Sequence, residues 1–235
     1  MERTPAVSND GMLIYFSSFR PGDNGSWDIW VSEWDDTLGR FGQAELLDST
    51  VNTYCSEWSV DISPDQKTLW VASGRVPNKP ACDPYMIQVS YWDTLTANWG
   101  PLDVVDWSTS VTAGSEGVTY SEERGLMIFS CWCELGAEFP CWQGEADLYE
   151  AHLEGDAWIV DGNLCIPVNS EFREIGPCLT RDGRTLYFDS RRNTGSYGLE
   201  QIFVSYWIDD TVYVEGDEPE VLPEAFDIEQ NYPNP

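Results

Sequence analysis

Short stretches in which apolar and polar residues alternate run the length of this chain, separated by small polar clusters, and one such unit returns four times. Its clearest copy is Thr180 to Trp207, TRDGRTLYFDSRRNTGSYGLEQIFVSYW. A period of two puts successive side chains on opposite faces of a strand, so Thr185–Ser190 and Gln201–Trp207 read as strands. Arg181-Asp182-Gly183 reads as the turn before them, because glycine accepts the positive φ a tight turn requires. The other copies are SNDGMLIYFSSFR from Ser8, SPDQKTLWVASGR from Ser63 and SEERGLMIFSCWC from Ser121, at steps of 55, 58 and 59 residues. Their second strands are DIWVSEW from Asp28, MIQVSYW from Met86 and DLYEAHL from Asp147. No segment reads as a helix, and the expectation is an all-β protein.

Further landmarks keep the same spacing. Glu2, Glu57 and Glu174 stand six residues before the turn, with Glu116 five residues before Ser121. Arg20, Arg75 and Arg192 stand twelve residues after the first turn residue, with Cys133 in the third copy. The pairs Glu2/Arg20, Glu57/Arg75 and Glu174/Arg192 are expected to lie together at one end of each unit, since arginine offers a carboxylate a two-pronged fork. The units run from about 2–53, 54–113, 114–173 and 174–223. The third departs most, with Glu123-Arg124-Gly125 at its turn and Cys131 and Cys133 after its strand. A small sheet cannot bury both faces alone, so the units are expected to stack in one domain over 1–223. Glu2 already holds the glutamate position, so the chain reads as starting inside the pattern.

Composition narrows the function. With 12 basic and 41 acidic residues the formal charge is −29, which disfavours nucleic acid, whose phosphates need a basic surface. Acidic loops leave calcium as the one cofactor to consider, and Asp23, Asn24 and Asp28 fall within six residues but lack a full ligand series. No apolar run approaches the ~20 residues of a membrane span, and the first residues lack the regions of a signal peptide. Seven cysteines without a CxxC and one histidine do not make a zinc site. They fit disulfides in an oxidising compartment, and the odd count leaves at least one free thiol. His152 lies in a strand where the other copies carry Glu33, Tyr91 and Tyr206, and reads as a strand residue. There is no GxSxG elbow, so catalysis would fall to paired carboxylates.

The repeat resembles the TolB-type, WD-repeat-like β-propeller family, whose pattern is similar to E-x-x-P-x-x-S-x-D-G-x-x-L-Y-F-x-S-x-R followed by D-[IL]-[YW]-V. Glu2, Pro5, Ser8, Asp10, Gly11, Tyr15, Phe16, Ser18 and Arg20 match it, as do Glu174, Pro177, Asp182, Gly183, Leu186, Tyr187, Phe188, Ser190 and Arg192. The resemblance implies four-stranded antiparallel blades, innermost strand first, with four repeats visible in a larger or incomplete ring. It also implies that the Asp-Gly turns lie on one face and the inter-strand loops on the other. The tail AFDIEQNYPNP resembles the opening of the C-terminal sorting domain of proteins exported by type IX secretion in Bacteroidetes-like bacteria. Residues 224–235 are therefore expected to be a linker and the start of that domain, on a secreted or cell-surface protein.

On the loop face implied by the resemblance, the segments Arg75–Tyr85 and Trp132–Glu145 are longest, and a mere connection could be far shorter. Trp132, Trp142 and Phe139 beside Glu134, Glu138 and Asp83 suit a sugar, a cationic peptide or a calcium-bridged ligand. The expected disulfides there are Cys55–Cys82 and Cys133–Cys141, with Cys131 as an alternative partner of Cys141. Cys165 and Cys178 are expected on outermost and innermost strands, too far apart to bridge. The reading that follows is an exported, non-catalytic module binding a protein or glycan at the cell surface, with no cofactor required. The alternative is a propeller-type polysaccharide lyase or hydrolase using acidic residues.

Overall fold

A computed structural model describes residues 2–20, 26–75, 82, 85–105, 107, 114–132, 145–192, 200–208 and 225–229, with 208 and 225–229 described as backbone. Alternation becomes four antiparallel sheets. Blade one contains β1 (Glu2–Val7), β2 (Leu13–Ser18), β3 (Asp28–Asp35), β4 (Arg40–Phe41) and β5 (Glu45–Leu46). Blade two contains β6 (Glu57–Ile62), β7 (Thr68–Ser73), β8 (Met86–Asp93), β9 (Asn98–Trp99) and β10 (Asp103–Val104). Blade three is β11 (Ser115–Ser121), β12 (Leu126–Cys131), β13 (Asp147–Glu154) and β14 (Ala157–Asn163). Blade four is β15 (Glu174–Leu179), β16 (Thr185–Ser190), β17 (Gln201–Ile208) and β18 (Ala225–Glu229). The innermost strands β1, β6, β11 and β15 neighbour one another in chain order around a central cavity, as in a β-propeller. A four-residue helical turn, Cys165–Val168, interrupts this all-β order.

The last strand differs from the sequence expectation. Ala225–Glu229 lies in the segment read as linker and tail, yet it pairs with β17 from Val204↔Glu229 to Ile208↔Ala225. Without it β17 would be a bare edge, and an extended run beside unpaired amides and carbonyls completes the ladder.

The recurrent turn has a physical basis in its side chains. Ser8 donates to Asp10 at 2.6 Å, and the Met12 amide donates to the same carboxylate at 3.0 Å. Ser63/Asp65/Lys67 and Thr180/Asp182/Arg184 repeat the arrangement. These hydrogen bonds hold the Asp10 carboxyl down at about 2, with Ser8 the largest cause. Gly11, Gly125 and Gly183 take positive φ at the tip, and Gln66 takes φ 60° in their place in blade two.

Register corrects the glutamate pattern. Glu2, Glu57 and Glu174 pair with Ser18, Ser73 and Ser190, whereas in blade three Ser115 pairs with Cys131. Ser115 therefore holds the repeat position. Glu116 sits one residue on, next to the bulge that each innermost strand carries.

Blades join through one recurring interface. Tyr15 and Ile29 of blade one pack with Leu69 and Val71 of blade two. Trp70 and Ile87 of blade two pack with Met127 and Phe129 of blade three, and Ile128 and Leu148 of blade three with Leu186 and Phe188 of blade four. Backbone bonds recur beside them: Glu57 N to Trp27 O, Ser115 N to Tyr85 O, and Glu174 N to Ala146 O.

Candidate functional site

The glutamates of the repeat stand where the innermost strands begin, and their environments differ. Glu2 is exposed and meets Arg20 at 3.1 Å. Glu174 is buried, meets Arg192 at 3.1 Å, and accepts bonds from the Ser170 amide and from the Ser170 and Ser190 hydroxyls. Arg192 also donates to the carbonyls of Pro167 (2.6 Å) and Val168, tying the entering loop to the strand end. Glu57 is buried without an arginine: the Thr53 amide and hydroxyl and the Ser73 hydroxyl serve it at 3.0, 2.8 and 2.8 Å. Arg75 instead donates its backbone amide to Ser73. Burial, unopposed by a cation, pushes the Glu57 carboxyl up to about 7. Glu57, Glu174 and Arg192 thus tie the entering loops to the strand ends.

The same end of the propeller carries side chains that the sequence pattern did not single out. The Arg3 guanidinium lies 4.6 Å from the centre of the Trp58 ring and 5.0 Å from that of Trp27. Phe19 and Tyr85 extend this aromatic row. One blade pair away, the Arg173 guanidinium stacks 4.5 Å from the Trp132 ring centre and pairs with Glu116 and Glu200, both at 3.0 Å. Arg191 continues the network to Glu200 at 3.4 Å and Glu145 at 3.6 Å. The sequence singled out Glu116 and Trp132 but not the arginines that join them; the signal for Arg173 is its place beside the repeat glutamate Glu174. Of the residues expected to bind ligand, Trp132 lies in this network. Asp83, Glu134, Glu138, Phe139 and Trp142 lie outside the described residues.

Behind this end lies the central cavity, about 580 Å³, walled by all four innermost strands. Asp61 lines it, and its two oxygens accept the Ile62 amide at 2.9 Å and the Tyr120 amide at 2.7 Å. Thr119, at the same repeat position in blade three, accepts the Leu179 amide of blade four at 3.1 Å. Burial pushes the Asp61 and Asp189 carboxyls up to about 6 each; for Asp189 the Glu200 charge adds to the rise. Cys178 also faces the cavity, where desolvation first and then the Asp61 charge push its thiol up.

Cys55 and Cys82 are joined by a disulfide with their Cα atoms 5.2 Å apart. Cys131 and Cys165 are each disulfide-bonded, while Cys178 is a free thiol and makes no bridge to Cys165. Cys133 and Cys141 lie outside the described residues. His152 faces solvent and contacts Asp161 across β13 and β14 at 2.7 Å, which raises its pKa. Among the described residues no group of three or more His, Cys, Asp or Glu converges on a point, and no helix is long and apolar enough to cross a membrane.

No protein-family model matches the chain, and no curated protein matches it. Solved structures do. The protein assigned as TolB in Agrobacterium tumefaciens superposes with a TM-score of 0.52 at 17% identity, over 88% of this chain and 58% of its own. An α-L-arabinofuranosidase from Lactobacillus brevis gives 0.51 at 14%, over 88% of this chain and 73% of its own. The Cps50 (Swd1) β-propeller domain of Myceliophteria thermophila gives 0.43 at 10%, over 97% and 57%. The chain thus spans less than two thirds of the TolB structure. At these identities the likeness bears on architecture alone: the chain is an all-β protein whose four antiparallel blades are arranged as a β-propeller.

Proposed function

We propose that the protein is a non-catalytic binding module, exported or held at the cell surface, whose ligand is a protein or a glycan. The observation that carries this reading is the Arg173 network: one guanidinium stacked on Trp132 while its two ends pair with Glu116 and Glu200. Side chains locked this way at the rim of a cavity form a rigid platform, which lowers the entropy lost on binding. An aromatic face beside carboxylates suits sugar hydroxyls or a basic peptide. Export is supported by the disulfides, which persist in oxidising compartments. The test is a screen of cell-surface glycans and peptides against the wild type, Trp132→Ala and Trp142→Ala. Loss of binding by both folded variants is expected, and unchanged binding would move the site elsewhere.

A second reading, acid-assisted glycoside hydrolysis, draws on Asp61 and Asp189, whose raised values suit a general acid. The arabinofuranosidase likeness points the same way. Asp61, however, spends both oxygens on backbone amides, and Glu200, whose charge reaches Asp189, is held by Arg173 and Arg191, so among the described residues neither stands ready as the second carboxylate. Asp189-dependent turnover of aryl glycosides would favour this reading over binding.

A further inference from the structure

The third place of each innermost strand holds a small residue, Thr4, Ser59, Gly117 or Gly176, and all four line the central cavity. Thr4 donates its hydroxyl to the Trp58 carbonyl at 3.2 Å. Ser59 is 2% exposed, and among the described residues its hydroxyl has no hydrogen-bond partner. A Cβ on Gly176 would stand 2.9 Å from Oδ2 of Asp189, so the glycine leaves room for that carboxylate at the cavity wall. Burial first and the Glu200 charge second push the Asp189 carboxyl up to about 6, against the Arg173 and Arg3 charges. The rise outweighs both arginines, so the position is short of positive charge. Asp61, the other carboxylate in this wall, already has both oxygens on amides.

We propose that the cavity binds a small organic ammonium ion, with Asp189 of blade four and Ser59 of blade two accepting its N–H groups. The site lies behind the Arg173 platform and does not depend on it. An anion would meet Asp189 and Asp61, with Glu200 within reach, in a chain of formal charge −29. A hard metal ion needs several oxygen ligands, and among the described residues no group of three or more metal-binding side chains converges. An ammonium carries three donors on one compact charge. Its organic part suits the apolar wall of Ala6, Val118, Leu179 and Ile202, and the volume of about 580 Å³ falls within the ~300–1,000 Å³ of small-molecule sites.

Titration calorimetry on the whole chain, at mildly alkaline pH where Asp189 is ionised and in physiological salt that screens diffuse attraction, tests this. The probes are butylammonium and benzylammonium, with butanol and benzyl alcohol as their neutral counterparts. An ammonium probe is expected to bind one-to-one and more tightly than its alcohol. Asp189→Asn is expected to lower that affinity about tenfold or more, because a charged hydrogen bond is lost, and Ser59→Ala about threefold. Glu33→Gln, at an exposed carboxylate outside the cavity, is expected to change nothing. Asp189→Asn removes a charge that the fold disfavours, so it is expected to fold, and its urea midpoint checks this. Ser59→Ala deletes only an unbonded hydroxyl and keeps the test independent of that outcome. A wild type that binds neither ammonium probe, an alcohol that binds as tightly, or an affinity unchanged by Ser59→Ala overturns the proposal. So does a loss in Glu33→Gln equal to that in Asp189→Asn.

Discussion

The carboxylate of Asp61 in blade two accepts the backbone amide of Tyr120 in blade three at 2.7 Å, so one innermost strand is tied to the next by a side chain. Its other oxygen takes the Ile62 amide. Asp61→Ala orphans two amides in a buried place and is expected to cost about 2–4 kcal/mol. Thr119→Val removes the acceptor of the Leu179 amide and the hydroxyl bonded to Asp61, leaves both Asp61-bound amides paired, and is expected to cost less, about 1–2 kcal/mol. Urea titrations at neutral pH measure both, and equal losses would refute the assignment of Asp61 as a double acceptor.

Glu57 predicts an unusual pH response. Its carboxyl is raised from 4.5 to about 7 by burial. A raised acid binds its proton more tightly when folded, so its stabilising contribution is complete below pH 4.5 and is lost as pH rises through 7. Asp61 and Asp189, raised from 3.8 to about 6, act in the same direction at lower pH. Glu57→Gln is expected to flatten the fall in stability between mildly acidic and mildly alkaline pH by about 3 kcal/mol. Denaturant midpoints across that window, compared with the wild type, decide it.

The two arginine pairs should respond very differently to the same substitution. Arg192→Ala leaves Glu174 buried and unpaired and is expected to cost about 3–5 kcal/mol. Arg20→Ala removes a pair whose side chains are 34% and 53% exposed and screened by water, so its ionic part is expected to be a small fraction of that loss. Comparable losses at the two sites, measured by thermal and urea unfolding, would contradict the burial argument.

The Cys55–Cys82 bond closes a loop with a sequence separation of 27. Restricting that loop in the unfolded chain is worth about 3–4 kcal/mol by the loop-entropy relation. The double variant Cys55→Ser/Cys82→Ser is expected to lose roughly that much, read from unfolding curves beside the wild type. No loss at all would show that the bond does not constrain the unfolded chain.

Much of this architecture is legible in the sequence because it is written locally. The Ser8–Asp10 turn and its relatives satisfy themselves within five residues, so their spacing survives in the string. The residues that join blades do not. Ala6, Asp61, Thr119 and Cys178 hold one repeat position, and only the tertiary structure shows that Asp61 and Thr119 reach the next blade's amide. Glu116 was legible as an acid but not as an off-register one, because a bulge is a matter of pairing rather than composition. The Arg173 stack on Trp132 joins residues far apart in the chain, and neither neighbourhood announces the other. Ala225–Glu229 was hidden for the opposite reason: its likeness to another kind of segment outweighed a strand pattern only five residues long.

Because each blade leans on its sequence neighbours and no apolar cluster joins the first to the last among the described residues, tension should act on the molecule as on a row of links. Pulled from its C-terminal end, β18 would peel from β17 first, one ladder bond at a time, and only then would blade four lift from the cluster around Phe188. The force trace would show separate steps, each the length of one blade, in place of the single rupture of a ring latched shut.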